Sequence, residues 1–386
     1  MNIAVAQSGG PTCAINASLL GVIKEALKNP EIRVIYGSVN GIEGIINDRM
    51  IDLKAAIHTN EDMELLRQTP STVLGSCRYK LPELSENAEI YQKICECFKR
   101  HQIRAFFYIG GNDSMDTVAK LSDYFAKTGE DIQVIGVPKT IDNDLCETDH
   151  TPGFGSAAKY AATSIQEITR DSSVYSIQSV TIIEVMGRHA GWLAGAAALA
   201  TAYGAGPDLV YLPEVDFDMD KFLADVDRIY KEKGNCMVAV SEGIHYADGT
   251  FVSEAKTSAT DGFGHAQLGG LAARLADVVK AATGAKVRPI ELSLLQRCAA
   301  HCASGTDIAE SFLSGKTAVE AAVAGQTDKM VGFKCTRGKD GYHCETELFD
   351  LSLVANTEKK VPLEWINEAG NGVTQDFIDY CLPLIQ

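Results

Sequence analysis

Two stretches constrain this chain more than any other: residues 104–114, Arg-Ala-Phe-Phe-Tyr-Ile-Gly-Gly-Asn-Asp-Ser, and residues 132–144, Ile-Gln-Val-Ile-Gly-Val-Pro-Lys-Thr-Ile-Asp-Asn-Asp. Each is an apolar run of strand length that stops at glycine or proline and passes into amides and carboxylates. Such runs, followed by helical periodicity, read as buried parallel strands. In open α/β sheets ligands bind beyond the carboxyl ends of the strands, so both polar clusters are expected to face one crevice. The first cluster has the glycines that a phosphate-binding turn needs. The second offers Lys139 as a phosphate counter-charge, with Asp142 and Asp144 as a base and a metal ligand. That combination predicts phosphoryl transfer.

Apolar runs of strand length recur at residues 2–7, 33–37, 104–109, 132–138, 180–185, 208–212, 236–240 and 287–295. Helical patterns lie between most of them, at Met115 to Lys127, Ser156 to Arg170, Asp220 to Lys233 and Gln267 to Thr283. Alternating strand and helix predicts an α/β fold with doubly wound, mainly parallel sheets. At 386 residues the chain exceeds the ~250–300 that one core serves, which predicts two lobes. A turn-rich hinge, Thr151-Pro-Gly-Phe-Gly155, is a soft boundary between them. From about Gly341 the periodicity weakens, and residues 346–386 are expected to form a C-terminal appendage.

The formal charge of −16 argues against a nucleic-acid partner or an anionic membrane. It also requires any site for phosphorylated ligands to gather its lysines and arginines locally. No run reaches the ~18 apolar residues of a membrane helix, and the first residues read as a strand rather than a signal peptide, so a cytoplasmic protein is expected. The eleven cysteines are scattered without pairing regularity, which suits reduced, mostly buried thiols. Cys95 with Cys97, and Cys298 with His301 and Cys302, have no recognisable four-ligand spacing.

No Walker sequence is present, and Gly153-x-Gly155-x-x-Ala158 follows an acidic turn rather than a strand, so it does not read as a dinucleotide fingerprint. The first strand instead runs into Gln7-Ser8-Gly9-Gly10-Pro11-Thr12 and then a helix, a turn whose freed amides make an anion site. With the second pair at Gly110-Gly111, it suits a ligand carrying several phosphates. Asp142 and Asp144 flank Asn143; in an extended segment they would point the same way, one holding a metal while the other takes a proton. Arg188, Arg288 and Arg297 lie at or beside strand ends, Arg288 and Arg297 bracketing the run Pro289–Gln296. In an acidic chain this pattern suggests phosphate clamps.

Taken in order, Gly9-Gly10, Gly75-Ser76-Cys77-Arg78, Gly110-Gly111-Asn112-Asp113-Ser114, Pro138-Lys139-Thr140-Ile141-Asp142-Asn143-Asp144, Met186-Gly187-Arg188, Ser241-Glu242-Gly243 and Leu295-Gln296-Arg297 resemble the motifs of the 6-phosphofructokinases, over roughly residues 1–310. The resemblance implies two Rossmann-like α/β lobes with the active site in the cleft between them. It places a phosphoryl-donor lobe at residues 1–155 plus about 298–345 and a sugar-phosphate lobe at 156–297. It implies Asp142 as the general base toward the sugar 1-hydroxyl, with Lys139 and Thr140 lining the transferring group and Asp144 near it. Gly10, Arg78, Gly111, Asp113 and Lys139 would bind the donor. Met186, Gly187, Arg188, Glu242 and Arg297 would hold fructose 6-phosphate, together with Thr140, Asp142 and Asp144. Arg288 would reach the sugar phosphate of a neighbouring subunit, which implies a homodimer or homotetramer. Mg2+ is the implied cofactor, with Asn112, Asp113 and Asp144 as its candidate ligands.

ATP-dependent members carry Gly-Gly-Asp-Gly-Ser and Pro-Gly-Thr-Ile-Asp, where this chain has Asp113 and Lys139. A carboxylate at Asp113 would lie where a nucleotide's α-phosphate must pass. Two unit charges ~4 Å apart repel by about 4 kcal/mol at an effective dielectric of 20, about a thousandfold in binding. Lys139 adds a cation for a donor without adenosine. Both changes resemble the pyrophosphate-dependent branch of the family, so pyrophosphate and fructose 6-phosphate are the expected substrates. Ser179 stands where members often supply a neighbour-subunit arginine, and Leu294 where a His or Tyr commonly contacts the sugar. A related ketose phosphate such as sedoheptulose 7-phosphate stays open as acceptor. An ATP-dependent kinase and a non-catalytic regulatory subunit are the rival readings.

Overall fold

The computed structural model describes residues 1–253 and 268–386. Its strands are β1 (Asn2–Gln7), β2 (Ile35–Ser38), β3 (Met50–Asp52), β4 (Ile103–Gly110), β5 (Gln133–Pro138), β6 (Ser179–Val185), β7 (Leu209–Tyr211), β8 (Asn235–Ser241), β9 (Lys286–Glu291), β10 (Lys329–Gly338) and β11 (Gly341–Asp350). The chain divides into two compact units, one of Met1–Ile141, Leu145–Gly153 and Gly305–Glu358, the other of Asp142–Asp144, Phe154–Ser304 and Lys359–Gln386.

The first unit carries a seven-stranded sheet in the order β11-β10-β5-β4-β1-β2-β3. Its inner pairs are parallel, while β3 and β11 run antiparallel at the two edges. Both faces are covered, which is why β4 reads as a continuous apolar run. Phe106 and Tyr108 enter one core with Phe98, Phe125 and Met115. Ala105, Phe107 and Ile109 enter the other, with Ile15, Leu19 and Val319. The period-two alternation of a strand thus serves two hydrophobic layers at once.

The second unit has a four-stranded sheet, β7-β8-β6-β9, parallel throughout. Val180, Ile182, Val238 and Val240 pack on one face against Phe222, Val226, Leu271 and Leu275 of the helices Met219–Lys233 and Leu271–Thr283. The α/β class and mainly parallel sheets stand as expected. Among the described residues no helix is long and apolar enough to cross a membrane.

Several boundaries differ from the sequence reading. The expected strand over 287–295 ends at Glu291, because the chain turns at Ser293, which takes φ 43°, and Leu295 N–H closes the turn on the Leu292 carbonyl at 3.1 Å. Arg288 therefore lies within β9 rather than beside it. Residues 346–386 do not stand apart: 346–350 complete β11, and 359–386 belong to the second unit. The weak periodicity from Gly341 to Asp350 is the outer strand of an edge hairpin, half exposed and rich in charge. The expected helix start at Gln267 falls outside the described residues, and the helix is described from Leu271.

Candidate active site

In the first unit the donor-side residues converge through backbone geometry. β1, β4 and β5 are adjacent and parallel, with Gln7 opposite Ile109 and Gly110 opposite Pro138, so three strand ends stand side by side. Beyond Gln7 the chain needs a left-handed residue to turn, and Gly9 takes φ 74°. Its N–H donates to the Cys77 carbonyl at 3.0 Å, and Ser76 Oγ donates to the Gly9 carbonyl at 2.6 Å. Those two bonds fasten the Gly75–Arg78 loop to the glycine turn and set Arg78, exposed, beside it.

Lys139 is 2% exposed, and its ammonium donates to the Gly10 carbonyl at 2.6 Å. Its own N–H reaches the Gly110 carbonyl at 2.9 Å, tying β5 to the second glycine pair. A cation buried at a glycine turn suits a phosphate, the anion that such a turn binds. Gly111 precedes the helix Asn112–Thr128, whose N-terminal amides and dipole favour an anion. Asp113 lies in the first turn of that helix. Thr140 is fixed on both sides, its N–H donating to Pro152 and its carbonyl accepting the Thr151 hydroxyl at 2.8 Å. The structure thus brings together Gly10, Gly111, Lys139 and Thr140.

Asn112 serves a different purpose from the one expected. Its Oδ1 accepts the Asn356 N–H at 2.8 Å and its Nδ2 donates to the Thr357 carbonyl at 2.7 Å. Both ends of the amide anchor the 356–357 turn, which leaves Asp113 as the acidic oxygen donor of this segment.

In the second unit the segment Asp142–Asp144 is not extended. Asn143 adopts φ 55°, and its buried amide donates to the Tyr380 hydroxyl at 2.9 Å. The alternation that would have aimed both carboxylates the same way does not apply; each is half-buried beside a left-handed turn. The Lys359 N–H holds the Asp144 carbonyl at 2.7 Å.

The sugar-side residues gather at the ends of β6 and β8, where Val185 pairs with Ser241. Met186 N–H donates to Gln296 Oε1 at 3.2 Å, and Gly187 N–H to Glu242 Oε1 at 3.4 Å. The Ser241 hydroxyl donates to the Gly187 carbonyl. A side chain at Gly243 would sit 1.9 Å from the Arg188 carbonyl, so only glycine permits this crossing of the two loops. Met186, Gly187, Arg188 and Glu242 are thereby brought together, with Arg297 next to Gln296 in the short helix Leu295–Cys298.

Burial is the main force that raises the Glu242 carboxyl to about 7, and the like charges of Asp142 and Glu184 add to it against the opposing Gly187 N–H. Glu184 is also raised, first by burial, with the Ala272 N–H at 2.9 Å opposing. Arg288 stands apart from this group. It pairs with Thr181, three positions before the Glu184–Glu291 pair near the strand ends, and reaches back to Asp171 at 3.9 Å and over the Tyr175 ring.

Sequence reasoning gave no role to Gln296 or Thr151. Gln296 is 2% exposed directly after the exposed Leu294 and Leu295, a polar–apolar inversion that marks a side chain turned inward to serve the backbone. Thr151 lies in the stretch read only as a hinge.

Residues 2–322 match the phosphofructokinase family. A pyrophosphate–fructose 6-phosphate 1-phosphotransferase of Halomonas elongata is 44% identical over 390 residues, covering 100% of this chain and 92% of the relative. A protein of the same name from Methylococcus capsulatus is 43% identical over 389 residues, covering 100% and 91%. Among solved structures, the pyrophosphate-dependent phosphofructokinase of Nitrosospira multiformis aligns with TM-score 0.89 at 41% identity, over 100% of this chain and 92% of that one.

Proposed function

The chain belongs to the phosphofructokinase family, and from that premise we propose that it moves a phosphoryl group from pyrophosphate to the 1-hydroxyl of fructose 6-phosphate. The products are fructose 1,6-bisphosphate and phosphate, and the reaction runs in both directions. The observation that carries the donor assignment is Lys139, buried with its ammonium on the Gly10 carbonyl at the head of a glycine turn. A cation so placed suits a short, highly charged donor that brings no adenosine to be bound. The relatives named for pyrophosphate at 43–44% identity support the same reading.

In this reading Asp142 takes the proton from the 1-hydroxyl, and the oxygen attacks the near phosphorus of pyrophosphate in line. Phosphate leaves from the opposite side. Lys139, Arg78 and the amides near Gly10 and Gly111 stabilise the charge spread over the transferring group, and Thr140 lines it. Arg188, Glu242 and Arg297, with the Met186–Gly187 backbone, hold the sugar phosphate. Arg288 faces away from that group in its own unit, which accords with service to a neighbouring subunit of a homo-oligomer.

Mg2+ is the divalent cation that this reading calls for. Asp113 and Asp144 are hard carboxylate oxygens of the kind Mg2+ takes, whereas the Asn112 amide is committed to the 356–357 turn. When bound, Mg2+ supplies charge neutralisation on the pyrophosphate oxygens.

The test is phosphate release from fructose 6-phosphate with pyrophosphate or ATP as donor, and with sedoheptulose 7-phosphate as an alternative acceptor. Turnover with pyrophosphate far above that with ATP is expected. Equal efficiency with ATP would overturn the donor assignment, and a preference for the seven-carbon sugar would overturn the acceptor.

A further inference from the structure

The second β-hairpin of the first unit places two cysteines directly opposite each other, Cys335 on β10 and Cys344 on β11. We propose that Cys335 and Cys344 are a reversible dithiol–disulfide site, oxidised by low-molecular-weight disulfides, whose state is transmitted to Thr140 through the 148–153 loop.

Directly opposite residues of an antiparallel pair have Cα atoms about 4.5 or 5.5 Å apart, and both values lie inside the ~4.4–6.8 Å that a disulfide spans. Both side chains lean to the face shared by Phe333, Arg337 and Tyr342, since residues two apart on a strand point the same way. Both are partly exposed, so a small oxidant can reach them.

The surroundings sort the two thiols into different roles. Cys335 Sγ lies 3.8 Å from His150 Nδ1 and 3.3 Å from the Tyr342 hydroxyl. His150 is 1% exposed and stands between carboxylates, Asp149 at 3.0 Å from Nδ1 and Glu310 at 2.7 Å from Nε2. Burial alone would keep its ring neutral, but those carboxylates and Cys335 raise it well above the usual histidine range. The Cys335 thiol is held below its ordinary value, first by the S–H of Cys344 donating to it and then, against burial, by His150. Cys344 is raised by that same donated hydrogen bond and by burial. One thiol is the nucleophile and the other keeps its proton, the division of labour that thiol–disulfide exchange uses.

Three donor atoms here, from Asp149, His150 and Cys335, lie within 4.8 Å of one another, as a metal site would require. Arg337, however, binds both Asp149 oxygens at 2.8 Å, and Glu310 holds the other ring nitrogen. The trio is an ion-paired network, which leaves exchange as the chemistry of the thiols.

The Cys335 thiolate attacks one sulfur of the small disulfide and expels its partner as a thiolate. Cys344 then attacks Cys335 Sγ, giving its proton to the thiolates released, and the second small thiol departs. Two electrons pass from the protein dithiol to the oxidant.

The hairpin is bonded to the loop behind Thr140. Phe333 N–H donates to Thr148 Oγ1 at 2.8 Å, Asp149 N–H donates to the Phe333 carbonyl at 2.9 Å, and Thr148 Oγ1 donates to the His150 carbonyl at 2.8 Å. Thr151 and Pro152 then hold Thr140. Forming the disulfide removes the negative sulfur facing His150 and draws the two strands together two residues from Phe333.

The experiment equilibrates the full-length protein with reduced and oxidised glutathione, blocks free thiols with an alkylating agent, and maps peptides by mass spectrometry. The expected result is a Cys335–Cys344 bridge with loss of two hydrogen atoms, formed before any other of the eleven cysteines reacts. Cys344→Ser should stop at a glutathione adduct on Cys335, and Cys335→Ser should leave Cys344 unmodified. Hydrogen exchange at the 139–153 amides should change on oxidation in wild type and stay unchanged in Cys335→Ser, a readout independent of any assigned reaction. The effect on catalysis rests on the phosphotransfer reading: turnover with pyrophosphate should fall about fivefold on oxidation and recover with dithiothreitol, at the low end of linked-site coupling. Failure of the bridge to form in folded wild-type protein, or stoichiometric zinc held by these thiols, would overturn the proposal. Unchanged 139–153 exchange would overturn its transmission to Thr140.

Discussion

Buried carboxylates in the two units have opposite surroundings. In the first unit Asp149 and Glu310 are matched by Arg337 and His150, two acids against two bases, each within direct hydrogen-bond distance. Arg337 and His150 hold the Asp149 carboxyl far below its usual range despite burial. In the second unit Glu242 is as deeply placed, but the Gly187 N–H at 3.4 Å and the charge of Arg188 are outweighed by burial and the like charges of Asp142 and Glu184. A balanced cluster has its charges satisfied by the fold and acts as an internal fastener. An unbalanced one keeps part of its electrostatic demand for something the fold does not supply, and perturbed groups of that kind gather at functional sites. The two halves of the molecule should respond to mutation in correspondingly different ways.

Asp142 gives the widest separation. Asp142→Ala should lower turnover by roughly 10²–10⁴-fold, the usual contribution of a general base, while sugar binding is largely kept. Removing that charge should also bring the Glu242 carboxyl down and leave thermal stability unchanged or improved. Steady-state kinetics and a melting curve on one preparation check both arms. Retention of more than about a third of wild-type turnover would remove Asp142 from the base role.

The donor pair follows. Asp113→Gly with Lys139→Gly should abolish most pyrophosphate activity and relieve an ATP exclusion of about a thousandfold, by more than the sum of the single changes, because neighbouring residues share one ligand. Competition between the donors in each single variant and in the double variant measures the coupling.

The balanced cluster should fail in the other way. Arg337→Met leaves Asp149 buried without its guanidinium, a loss of about 3 kcal/mol at the low end for broken buried pairs, since Arg337 keeps some solvent contact. Urea unfolding should show it, and kcat per folded molecule should fall by no more than the about fivefold that coupling through the 148–153 loop carries. A loss of kcat with unchanged stability would contradict the division between fastener and functional site.

Much of this was legible in one dimension, and the exceptions share a cause. β1, β4, β5, β6 and β8 announce themselves because parallel strands covered on both faces must be apolar throughout. The glycine turns and Lys139 are readable because backbone amides and a cation at a strand end have few other uses. The hairpin of β10 and β11 is not, since an edge pair alternates charge and cysteine with apolar residues and resembles a solvated tail. The turn at Asn143 depends on Tyr380, 237 positions away, and no local pattern encodes that bond. Arg288 was misplaced for a similar reason. Its spacing from Arg297 is visible in the sequence, but the register opposite Thr181 that carries it away from the strand end is set by pairing with β6.

The smallest effect expected is also the most specific to the unbalanced site. Glu242 is raised to about 7 in the folded protein, so the neutral form is favoured there relative to the unfolded chain. For a carboxyl raised on folding, the stabilisation is fully present below the unfolded value near ~4.3 and is lost as pH rises through about 7. Wild type should therefore lose stability relative to Glu242→Gln between pH 5 and 9, on the order of 2 kcal/mol after allowing for water that screens the ionised group. Sugar binding should move the other way. An ionised Glu242 is the stronger acceptor for a sugar hydroxyl, so KM for fructose 6-phosphate should rise as pH falls through about 7. In Glu242→Gln that inflection should vanish, leaving the ionisation of the sugar phosphate common to both proteins. Parallel pH profiles of KM in wild type and variant would mean that Glu242 carries its perturbed proton for the fold alone, and the contrast with the Asp149–His150 cluster would lose its functional meaning.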